Sequence, residues 1–96
     1  MTHELKTWPE SFRAVKHGIK TFEVRKDDRN FQVGDYLILK EYDPEKKTYS
    51  GDYIKVRVNY AVTGLGLAKY GHKVDPEIVI MSIAIATDPS FEGETK

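Results

Sequence analysis

Ile54, Val56, Val58, Tyr60 and Val62 alternate with Lys55, Arg57 and Asn59, and a segment of that period has one regular structure open to it. It is a strand with the first set on one face and the second set on the other. Much of the chain follows the same rule. Tyr36 to Tyr42 sets Leu37 and Leu39 among Tyr36, Ile38 and Lys40, a strand apolar on nearly both faces, and Ile78 to Ile85 is almost continuously apolar, as a strand buried on both faces requires. Lys20 to Lys26 alternates as well, and His3 to Lys6 is a short opening strand. Asp27-Asp28-Arg29-Asn30 and Val33-Gly34-Asp35 supply turns, while Asp43 to Ser50, with Pro44, is expected to be an exposed connection.

One segment breaks the period. Thr7-x-x-Glu10 has the form of a capping box, Pro9 suits a first helical turn, and Trp8, Phe12 and Val15 fall at spacings of four and three, which directs them to a core. Gly18 supplies the stop, so the helix covers about two and a half turns. One early helix and about five strands give an α+β fold built on a small curled sheet or barrel. A barrel of this size fills its interior with side chains, so binding is expected at a mouth or in a groove between the helix and a strand end.

The chain has 96 residues, 40% of them hydrophobic and 31% charged, which is enough for one domain. Residues 1–87 are assigned to that domain and 88–96 to a flexible tail, with a core that buries roughly 60–65% of the unfolded surface. Fifteen Lys and Arg balance fifteen Asp and Glu. That balance argues against long duplex DNA as a partner, which calls for a strong basic excess, and leaves a local basic groove open. There is no cysteine, so disulfides, thiolate metal sites and cysteine nucleophiles are excluded. No apolar run suits a membrane helix, and Met1-Thr2-His3-Glu4 lacks the regions of a signal peptide, so a cytoplasmic protein is expected.

Gly18-Ile-Lys20-Thr-Phe-Glu23-Val-Arg25 concentrates complementary charges directly after the helix stop. Alternation places Phe22 and Val24 toward the core and Thr21, Glu23 and Arg25 on the other face, so Glu23 and Arg25 are natural partners. Lys20 has the opposite parity, but the backbone freedom of Gly18 allows its ammonium to swing toward the pair. Gly18-x-Lys20-x-x-Glu23-x-Arg25 resembles the signature of the ASCH domain, a branch of the PUA-like superfamily of RNA-associated pseudobarrels. The helix before it and Phe31-Gln-Val33-Gly34-Asp35 before a hydrophobic strand match that family's layout, and His3-Glu4-Leu5-Lys6 resembles small phage and bacterial members. The resemblance covers roughly residues 3–86. It implies a PUA-like pseudobarrel with a charged cleft that accepts RNA or a nucleotide-like small molecule. Some proteins similar to the family deacetylate acetylcytidine through a lysine, a threonine and a glutamate. Lys20 matches that lysine and Arg25 its arginine, the threonine position is here Glu23, and Glu41 and Glu77 are candidates by type for the remote glutamate.

In the binding reading Arg25 offers a planar fork to a phosphate or base edge, Glu23 orients it or accepts from a base amino group, and Lys20 supplies a point charge. His3, Lys6 and Thr21 are further candidates for the cleft, His3 as an acid or base near neutral pH. Were the protein an enzyme, a hydrolase of modified nucleosides or RNA, Lys20 is the expected catalytic group. A phage-type protein-interaction module using a sheet edge or the tyrosines is the third possibility. Tyr36, Tyr42, Tyr49, Tyr53 and Tyr70 are candidate stacking rings, with Lys55 and Arg57 as cationic neighbours. His17 suits the helix C-terminus, and His72 lies in a glycine-rich stretch, 64–77, expected to be a mobile loop. The histidines lack metal-ligand spacing and Gly64-x-Gly66 lacks the third glycine of a dinucleotide loop, so no metal and no cofactor are expected.

Overall fold

The computed structural model describes residues 1–86, and the proposed tail, 88–96, lies outside them. The alternating segments form strands β1 (Thr2–Thr7), β2 (Phe22–Lys26), β3 (Tyr36–Asp43), β4 (Thr48–Thr63) and β5 (Ile78–Ile85). Helix α1 (Pro9–Lys16) follows β1, and a short helix α2 (Gly64–Ala68) follows β4. All the strands join one mixed sheet in the order β1-β3-β4-β5-β2. β1 runs parallel to β3, with Leu5 opposite Leu39, and the other pairs are antiparallel. The sheet curls into a half-barrel, giving a small α+β protein with a short N-terminal helix.

Strands β1 and β2, separated in the chain only by α1, are therefore the two edges of the sheet. Leu5 from β1, Val15 from α1, Leu37 and Leu39 from β3, Val56 and Val58 from β4, and Val79, Met81 and Ile83 from β5 form one core with Phe31. Each such side chain contributes about 1.5–3 kcal/mol on full burial, which is what selects the register.

Helix α1 departs from its expected start. Its N-cap is Trp8, in extended conformation with no side-chain cap, and no capping box forms because Thr7 is the buried last residue of β1. Phe12 and Val15 are buried, but Trp8 is 63% exposed: as the N-cap it precedes the helical turn and does not share the apolar face. Gly18 ends the helix at φ +73, with its amide donating to the Val15 carbonyl, and those of Ile19 and Lys20 to that of Ala14.

Three further expectations are corrected by the sheet. β4 begins at Thr48, so the exposed connection shrinks to a tight turn over 44–47 in which Asp43 Oδ1 accepts from the Glu45 and Lys46 amides. A bulge between Val58 and Tyr60 then inverts the alternation: Tyr60 is 66% exposed and Ala61 packs on the core. Lys55, expected outside, is buried with its Nζ 4.5 Å from the centroid of the Tyr36 ring. In the glycine-rich stretch, Thr63 Oγ1 caps α2 by accepting from the Gly66 amide. A Cβ on Gly64 would lie 1.8 Å from the Asp75 carbonyl oxygen, so this glycine serves close backbone packing.

Candidate functional site

β2 is inverted relative to the pattern expected of it. Phe22 and Val24 are each 48% exposed, while Glu23 is 1% exposed and shares the interior with Met81, its partner across β5. Period two gives the alternation of a strand but not its phase, and here a carboxylate takes the inward position. Arg25, two residues on, follows Glu23 to the same side. Its Nε donates to Glu23 Oε1 at 3.0 Å, and its Nη2 lies 2.8 Å from the same oxygen.

Lys20 precedes β2, so strand parity does not govern it. Released by the turn at Gly18, its Nζ stands 2.9 Å from Glu23 Oε2 and donates to Ser11 Oγ on α1. The contact with Oε2 is a charge contact without hydrogen-bond geometry, and among the described residues that buried oxygen has no hydrogen-bond donor. Two cations on one buried carboxylate supply the compensation that an enclosed charge needs.

Lys20, Glu23 and Arg25 converge on the floor of a cavity of about 250 Å³. Lys6, Thr7, Trp8, Ser11 and Val24 complete its lining. Thr7, Trp8 and Ser11 were hidden from sequence reasoning because they read as a helix start. The signal available was the pair of hydroxyls four residues apart around Pro9.

Arg25 does more than hold Glu23. Its Nη2 also donates to the Lys6 carbonyl at 3.0 Å and to Thr7 Oγ1 at 3.3 Å, and Arg29 Nη1 donates to the Glu4 carbonyl at 2.6 Å. These bonds tie the residues around β2 to the open edge of β1, where the sheet order has no ladder.

Of the other expected site residues, Lys6 lines the cleft and the rest are dispersed. His3 is buried away from the cleft, its Nε2 2.8 Å from Asp35 Oδ2 and its ring edge-on to Phe31 at 4.7 Å. Asp35 also accepts from the Gln32 amide and the Met1 ammonium. Burial pushes the Asp35 carboxyl up, but the bonds to His3 and Gln32 and the nearby ammonium outweigh this and hold it below its ordinary value. Thr21 is exposed and does not line the cleft; it borders another groove of about 190 Å³ with Gly18, Lys20, Ile83 and Ile85. Lys6 keeps its carbonyl on Arg25 and its Nζ 4.5 Å from the centroid of the Tyr42 ring. Glu77 is exposed and faces Lys26 at 3.9 Å, and neither it nor Glu41 lines the cleft. Among the described residues no His, Asp and Glu cluster suited to a metal occurs, and no helix is long and apolar enough to cross a membrane.

Residues 2–83 match the family model DUF3850, described as a domain of unknown function. The chain is 33% identical over 93 residues to the "Uncharacterized 12.9 kDa protein in GpA 3'region" of Escherichia phage P2, covering 93% of this chain and 83% of the phage protein. Among solved structures, hypothetical protein PH0355 superposes with a TM-score of 0.59 over 90% of this chain and 100% of that one, at 19% identity, a likeness of fold.

Proposed function

The chain belongs to the family described as DUF3850, and from the cleft this member carries we propose that it binds RNA or a nucleotide-like small molecule. One observation carries the reading: Lys20, Glu23 and Arg25, spread over a loop and a strand, meet in a single concavity walled by an exposed tryptophan. Trp8 and Val24 offer apolar faces to a flat ring, and Arg25 and Lys20 offer donors to its polar edge or phosphate. The Gly18-x-Lys20-x-x-Glu23-x-Arg25 signature, similar to that of the ASCH domain, supports the same ligand class. Short single-stranded RNA or nucleosides are expected to shift the NMR signals of residues 18–26 and the Trp8 indole. Silence there across a broad ligand panel would remove the reading.

A second reading, hydrolysis of modified nucleosides or RNA, is favoured by one contact. Lys20 Nζ donates to Ser11 Oγ in the cleft wall, a cation and a hydroxyl side by side where a substrate would lie. Incubation with acetylcytidine and with labelled RNA tests it. Equal turnover by wild type and Lys20→Ala places any activity elsewhere.

A further inference from the structure

Resting on the binding reading, we propose that the ligand is a single-stranded oligonucleotide, with one base in the cleft and its phosphodiester chain running out along a second groove over β1. That groove, about 480 Å³, is bordered by Glu4, Lys6, Arg25, Arg29, Lys40 and Tyr49. Lys6 and Arg25 also border the cleft, so the two cavities adjoin. Along the joint path Lys6, Lys20, Arg25, Arg29 and Lys40 face Glu4 and Glu23 as the bordering acids, although the chain as a whole has zero formal charge. Positive charge thus exceeds negative along this path.

The groups along it suit a phosphodiester. Among the described residues Arg29 engages one guanidinium nitrogen, with the Glu4 carbonyl, which leaves the rest of its fork for an anion. Glu4, the groove's carboxylate, is met by Lys40 Nζ at 3.3 Å. Cations and rings alternate along the groove. Lys40 Nζ is 4.9 Å from the centroid of the half-exposed Tyr49 ring, Tyr49 meets Tyr42 edge-on at 4.9 Å, and Lys6 Nζ is 4.5 Å from the Tyr42 centroid. Rings beside cations are what an unpaired strand uses, since its bases are free to stack while its phosphates are neutralised. An acidic peptide matches the charge but makes no use of Trp8 and Tyr49. A duplex keeps its base faces away from both.

The test compares a nucleoside monophosphate with homopolymeric oligoribonucleotides of a few residues, by calorimetry at several salt concentrations. The oligonucleotide is expected to bind at least about tenfold more tightly, with Arg29→Ala and Lys40→Ala each reducing its log–log salt slope by about 0.7 and leaving the monophosphate unaffected. Arg29→Ala also removes a bond to β1, so Lys40→Ala, which gives up an exposed ion pair, decides the matter if the first variant unfolds. The inference is overturned if the oligonucleotide gains nothing over the monophosphate, if Lys40→Ala leaves its affinity and slope alone, or if polyglutamate competes equally well. Failure of both nucleotide ligands to bind takes down the earlier reading as well.

Discussion

Glu23 carries the unusual burden at the residue scale, since an enclosed carboxylate is tolerated here by virtue of Lys20 and Arg25. Removing it leaves two cations facing each other across the cleft. Glu23→Ala is expected to lower stability by about 2–3 kcal/mol in urea denaturation, short of the 3–5 of a fully enclosed pair because the partners' side chains remain 23% and 25% exposed. Asp35 gives a prediction in pH. Its carboxyl binds a proton less readily in the folded chain than in the unfolded one, so its contribution is complete above the unfolded value of about 3.9 and is lost as pH falls through the lower, folded value. Asp35→Asn is expected to lower the urea midpoint at neutral pH and to flatten its decline below about pH 4. The residue types at Lys20, Glu23 and Arg25 were legible from their spacing, whereas the partner of His3 was not. Asp35 lies 32 positions away, and only the parallel register that sets His3 opposite Leu37 brings it near.

Elements were legible by period and illegible by phase. All the strands and the main helix follow from the sequence, yet nothing in Phe22-Glu-Val-Arg25 says which parity faces inward, because that depends on what α1 and β1 place opposite. The inverted phase has a measurable consequence. Phe22→Thr is expected to cost less than about 1 kcal/mol and Phe12→Ala about 3–5, in the same denaturation assay, and comparable costs would return Phe22 to the core. The bulge at Val58 escaped for a similar reason, since no glycine marks it. Gly18 was legible and serves two ends. Open space surrounds it, so Gly18→Ala is expected to cost about 1 kcal/mol through backbone strain alone and, on the proposed binding reading, to weaken nucleotide binding by redirecting Lys20.

Across the whole molecule, the curled sheet followed from the number and patterning of strands, but the order β1-β3-β4-β5-β2 did not. Placing β1 and β2 at opposite edges is a long-range choice made by the hydrophobic register of β3, β4 and β5. Where the edges approach, side chains replace a ladder, and Arg25→Lys, which keeps the charge but loses the fork, is expected to speed amide exchange in β1 and β2 ahead of β3. Arg29 completes the arrangement by engaging the Glu4 carbonyl one step along the same strand. These occupied carbonyls act as blind ends for self-association: another molecule's strand arriving at β1 finds the Glu4 and Lys6 acceptors already taken, so concentrating the protein should lengthen no filament from this margin.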